Sequence, residues 1–87
     1  MTDISAYLDS EGRITHWPAK KKNAARIALR QYLASKISTS LTMNELAIND
    51  LLNRWHTFGD HAFLRRDLVD HGLIKRDLEG TAYWREE

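Results

Sequence analysis

Apolar side chains recur along the middle of the chain at helical spacing. Ala25, Ala28, Leu29, Tyr32 and Leu33 fall on one side of a 3.6-residue repeat, which predicts a first long helix over residues 19–37. Pro18 precedes it and is pre-set for a first helical turn. Ser38-Thr39-Ser40 is a polar break. Thr42-Met43-Asn44-Glu45 fits a capping box, threonine followed three residues later by glutamate. Ala47, Ile48, Leu51, Leu52 and Trp55 then form the stripe of a second helix over 43–56. Thr57-Phe58-Gly59 is a turn into a third helix over 60–71. Asp60 can cap its free amides, Leu64 and Leu68 share its core face, and Gly72 suits the left-handed residue that ends it.

The period then changes. Leu73 and Ile74 begin a strand, Glu79-Gly80 is a turn, and Thr81, Tyr83 and Trp84 favour a second strand, giving a hairpin over 73–85. Tyr83 and Trp84 must point to opposite faces. Residues 1–18 form an N-terminal arm, with apolar Ile4, Tyr7 and Leu8, a turn at Asp9–Gly12 and an extended Arg13–Thr15. The expectation is one domain over 1–87, mainly α with a small β-hairpin (α+β). Three helices and a C-terminal two-stranded wing make it winged-helix-like, with Leu29, Leu33, Leu51, Trp55, Leu64 and Leu68 in one core. In such folds the helix before the hairpin often reads nucleic acid. The same outline also serves as a plain interaction module.

Charge changes the picture by its placement. Thirteen basic against twelve acidic residues leave a net charge of +1, low for a strong nucleic-acid binder. Yet Arg13, Lys20, Lys21, Lys22, Arg26, Arg30 and Lys36 form a run with no acid between them. Lysines in the opening turns of a helix oppose its macrodipole, at roughly 0.3–1 kcal/mol each. A bound phosphate would offset that cost. Solvation beside Asp9 and Glu11 is the competing reading. Arg65, Arg66, Lys75 and Arg76 form a second basic group. Arg66 lies opposite Leu64 and Leu68, Asp67 and Asp70 dilute the field of that helix, and Asp70 is spaced to pair with Arg66.

Other chemistry is sparse. His56, Asp60 and His61 resemble a ligand set in composition only. His56 ends one helix and His61 begins the next, and no two histidines have the helical spacing that aims two ligands together. No metal and no cofactor is expected. Arg13, Trp17, His56, Asp60 and His61 can meet where the arm joins the helical turn, as a buried polar network or as a ligand pocket. The three tryptophans read as structural. No nucleophile has a positioned base and there is no glycine-rich phosphate loop, so an enzyme is not expected. There is no cysteine, no apolar run of membrane length and no signal-peptide pattern, and a cytoplasmic protein without membrane contact is the expectation.

Two segments carry a family resemblance. Asp9–Lys22, DSEGRITHWPAKKK, holds a glycine-arginine turn, a tryptophan-proline pair and a basic helix start. Asn49–Trp84 contains WHTFGDHAFLRRDLVDHGLIKRD. Together they resemble the bacterial domain of unknown function family 2087, whose members occur alone and fused to transcriptional regulators. The resemblance marks Arg13, Trp17, Pro18, Trp55, His56, Asp60, His61, Leu64, Arg65, Arg66, Leu68, Gly72, Leu73 and Tyr83 as signature positions. Ser38–Leu46 departs from the pattern.

Two functions follow as expectations. One is a transcription-regulatory domain that binds nucleic acid, contacting phosphates through a basic face more than bases. The other is a non-catalytic module that senses a small ligand or binds a regulatory protein partner. Ile27, Ala34 and Phe63 lie off the core stripes, which is the pattern of a homodimer face.

Overall fold

Among the described residues a 3-10 turn at Ser5–Tyr7 is followed by three α-helices and three short strands, in the order α1 (Asn23–Ala34), β1 (Thr42–Met43), α2 (Glu45–Arg54), α3 (His61–Asp70), β2 (Lys75–Arg76) and β3 (Tyr83–Trp84). This is a computed structural model, and it describes residues 2–86. The strands form one antiparallel sheet in the order β1-β3-β2. Tyr83 therefore sits centrally, opposite Met43 on one side and Arg76 on the other. The class is α+β.

The hairpin gains a third strand that the sequence pattern does not announce. Thr42 lies in β1 opposite Trp84, so it cannot cap the second helix. Asn44 does so, its Oδ1 accepting from the Ala47 amide at 2.8 Å, and α2 starts one residue later.

The first helix is shorter than 19–37. Lys20 and Lys21 lie in a turn closed by the Lys22 amide on the Ala19 carbonyl at 2.9 Å, and the helix begins only at Asn23. Three consecutive lysines are thereby kept ahead of the positive end of the helix dipole. At the other end Lys36 and Ile37 donate to Leu33 and Ala34, so the chain leaves α1 through a tighter turn that buries Ile37.

The third helix follows its local signals closely. Asp60 Oδ1 accepts from the Phe63 amide at 3.1 Å. Gly72 has φ 75°, and the Gly72 and Leu73 amides return to the Val69 and Leu68 carbonyls at 3.0 and 2.9 Å. That is the paired C-terminal closure that a left-handed glycine allows.

Ile14, Leu29, Leu33, Ile37, Ile48, Leu52, Leu64, Leu68 and Ile74 are fully buried in one core. Leu51 and Trp55 only pack against its edge. The α2 stripe is centred on Ile48 and Leu52, because Trp55 turns outward to meet the Tyr32 ring edge-on and the Lys36 ammonium at 4.4 Å. Ala34 is buried, so it belongs to no self-association face, whereas Ile27 and Phe63 are exposed.

Arg30 is the largest departure from the expected basic face. It is 7% exposed, and its Nε donates to Asp67 Oδ2 at 2.7 Å, clamping α1 to α3. Asp67→Ala should lower stability by about 3 kcal/mol, because it leaves a buried guanidinium uncompensated. Arg66→Ala should stay within about 0.5 kcal/mol. Urea unfolding of both variants checks this, and equal losses would contradict the clamp.

Candidate functional site

The turn between α2 and α3 is built around His56. The ring is buried, and both of its nitrogens are bound to backbone. Nε2 accepts from the Asp60 amide at 2.9 Å, so Nδ1 carries the proton and donates to the Leu52 carbonyl at 2.7 Å. One imidazole thus joins the last turn of α2 to the residue that caps α3. The arm is tied in at the same point. The Ile14 amide donates to Trp55 O at 2.8 Å, and the Thr57 amide donates to Ile14 O at 2.9 Å. The polar cluster expected here assembles only in part. Arg13 turns back to Asp9, with Nε to Oδ2 at 2.8 Å, and Trp17 meets Phe63 edge-on. Among the described residues, no group of histidine and carboxylate side chains is placed to hold a metal ion.

α3 aims its other face at the hairpin. A cleft of about 290 Å³ opens there, lined by Ala62, Arg65, Arg66, Val69, Asp70, Arg76 and Tyr83. Arg65 is braced against α2 by Asn49 Oδ1 and by Glu45 at 3.5 Å, and lies 5.8 Å from the Tyr83 ring centre. Arg66 and Arg76 are exposed. Among the described residues Asp70 lines the cleft without an ion pair to Arg66, and Asp67, already bound to Arg30, has His71 as its other ionic neighbour.

The ten basic candidates therefore separate. Arg13, Arg30 and Arg65 are held by Asp9, Asp67 and Glu45, and Arg26 donates to the Pro18 carbonyl at 2.9 Å. Lys20, Lys21, Lys22, Arg66, Lys75 and Arg76 are exposed and make no ion pair among the described residues. The lysines stand at the α1 entry and the other three around α3 and β2. The Trp17–Phe63 contact ties the segment carrying the lysines to the first turn of α3. Sequence reasoning missed Ala62, Val69, Asp70 and Tyr83 as cleft residues. Ala62, Arg66, Val69 and Asp70 recur at helical spacing opposite Leu64 and Leu68, which was the available signal.

The hairpin tip has the opposite charge. The Asp77 carboxylate accepts from the Thr81 hydroxyl and from the Thr81 and Ala82 amides, and these bonds hold it below the usual aspartate range, the Thr81 hydroxyl contributing most. Glu79 is exposed beside it.

A three-helix α+β domain with a central third strand and a cleft between α3 and the hairpin is the class these features define. The chain belongs to the bacterial family described as "Uncharacterized protein conserved in bacteria (DUF2087)", whose model matches residues 13–85. No curated protein and no solved structure gives a significant match. Among the described residues no helix is long and apolar enough to cross a membrane.

The turn at Asp77 makes a pH prediction. Folding lowers this pKa, so its stabilising contribution is full above the ordinary aspartate range and is lost as pH falls through the lowered value. In Thr81→Val the Asp77 carboxyl should titrate higher, back toward the ordinary range, as read by carboxyl carbon NMR. An unchanged titration would contradict the assigned cause.

Proposed function

We propose that the protein is a non-catalytic nucleic-acid-binding domain of the winged-helix type, contacting the sugar-phosphate backbone through α3 and β2. The observation that carries this reading is the convergence of Arg66 and Arg76 on one open cleft, with neither ion-paired to a carboxylate among the described residues and Lys75 exposed on the other face of β2. Arginine and lysine so exposed neutralise phosphates without first losing a partner. The element order adds support, since a helix–strand–helix–helix–strand–strand chain with its last strand central suits a winged helix. Such folds offer the face of α3 to a groove and the hairpin to the flanking backbone.

Two of the acids that dilute this face lose their force. Asp67 is neutralised by Arg30, and the Asp77 carboxylate is turned onto its own loop. Asp70 and Glu79 stay exposed. The balance suits modest, salt-sensitive affinity, and backbone contacts more than base reading. Lys20, Lys21 and Lys22 extend the cationic surface from the entry of α1.

Binding to random duplex and single-stranded DNA at two salt concentrations tests the reading. Arg66→Gln with Arg76→Gln should reduce the slope of log affinity against log salt by about two units, close to one for each phosphate contact removed. Lys20, Lys21 and Lys22 changed to glutamine should flatten the slope about equally on every sequence. No measurable binding by the parent protein at low salt would reject the reading in favour of an interaction module.

A further inference from the structure

Arg76 and Tyr83 face one another across the hairpin. They are directly paired in the β2–β3 register, so their side chains leave the sheet on the same face, and both line the α3 cleft. A Cβ on Gly80 would lie 3.2 Å from Arg76 Nη1 and 3.5 Å from Tyr83 Oη, so guanidinium and hydroxyl end over the same glycine. Arg66 lines the cleft from α3 and is exposed. Donors from three elements, α3, β2 and β3, thus border one space of about 290 Å³.

Tyr83 differs from the two arginines. It is 4% exposed and belongs to the core, yet its hydroxyl makes no hydrogen bond among the described residues. The Tyr32 hydroxyl, by comparison, donates to the Gly12 carbonyl at 2.6 Å. Nor is the Tyr83 hydroxyl sealed from water. Among the described residues, the buried side-chain polar atom left without a partner is Trp17 Nε1. The phenol therefore buries its ring and leaves its oxygen at the cleft. The ring is also held in place. Its strand is paired on both sides, and Arg65, braced by Glu45 and Asn49, stands 5.8 Å from the ring centre. A donor fixed in this way loses little conformational freedom when a ligand arrives.

The donor set selects the ligand. Two guanidinium groups without ion pairs favour an anion. A carboxylate is planar and is satisfied by one arginine fork, whereas a tetrahedral phosphate accepts from several directions. Tyrosine is among the neutral side chains that donate to phosphate oxygens. Asp70 also lines the cleft, but among the described residues it pairs with none of the arginines there. It stands more than a helical turn beyond Arg65, the arginine beside Tyr83, so an anion is favoured at the Tyr83 end.

We propose that the Tyr83 hydroxyl and the Arg76 guanidinium, with Arg66 opposite, form a seat for a single phosphate group, and that a polynucleotide backbone supplies it. The polynucleotide as source rests on the nucleic-acid reading above, whereas the seat rests on the geometry of the cleft.

Tyr83→Phe tests the seat, because it removes one oxygen and keeps the ring. The hydroxyl has no partner in the fold, so the variant should melt at the temperature of the parent. Its affinity for duplex DNA at fixed salt should fall about tenfold or more, the loss of one hydrogen bond to a charged group. The slope of log affinity against log salt should not change, since a neutral donor releases no counterion, whereas Arg76→Gln should lower it by about one unit. DNA binding by Tyr83→Phe equal to that of the parent would overturn the seat and leave the nucleic-acid reading standing. A clearly lower melting temperature would assign the hydroxyl to folding and also overturn it. Titration with inorganic phosphate, against chloride at equal ionic strength, separates the seat from its source. In the parent, phosphate should shift the NMR signals of the Tyr83 ring and the Arg76 side chain, and in Tyr83→Phe the Arg76 shift should need about tenfold more phosphate. Those shifts in a protein that binds no DNA would reject the polynucleotide and keep the seat, with free phosphate as its ligand. No phosphate-specific shift in the parent would overturn the seat.

Discussion

His56 holds the structure at the point where three segments meet. A buried imidazole has one donor and one acceptor to satisfy, and here both are met by backbone groups from different elements. The Leu52 carbonyl belongs to the end of α2, and the Asp60 amide belongs to the residue that caps α3. Fixing both on one rigid ring ties the two helices together across the Thr57-Phe58-Gly59 turn, where Gly59 takes φ 70°. The flanking backbone carries Ile14 as a parallel bridge, so the arm is locked by the same residue. The Arg30–Asp67 clamp then secures α3 from the α1 side.

The orientation of α3 decides which charges remain available. With Leu64 and Leu68 turned inward, Asp67 falls within reach of Arg30, while Arg66 is left on the outer face beside β2. A net charge of +1 thus conceals an uneven surface. Ion pairing removes Arg13, Arg30 and Arg65 from the free cations, and hydrogen bonding within its turn occupies Asp77. The result is a hairpin with a cationic base and an acidic, leucine-bearing tip.

Local chemistry was the legible part of the sequence. The Asp60 cap, the Leu64–Leu68 face and the Gly72 stop involve residues within a few positions of one another, and all three stand as the pattern predicts. Long-range pairings were not legible. Arg30 and Asp67 are 37 residues apart, and nothing in the spacing of either declares the other. β1 is two residues long and exists only because β3 lies beside it, which also moved the α2 cap from Thr42 to Asn44. The start of α1 was misplaced because Pro18 suits a first helical turn. The chain instead buries Pro18 and uses its carbonyl to hold Arg26. Of the candidate site, the second basic group was visible as a run of residues, but its division into braced Arg65 and free Arg66 needed the position of Asn49 and Glu45 on α2.

The tautomer of His56 tests this account most directly. A long-range proton–nitrogen correlation spectrum near neutral pH distinguishes the two ring nitrogens. The expected result is a proton on Nδ1, slow to exchange because it is buried against the Leu52 carbonyl, and a bare Nε2 receiving the Asp60 amide. A proton on Nε2, or a rapidly averaging mixture of tautomers, would contradict it and leave the setting of α3 without its stated cause.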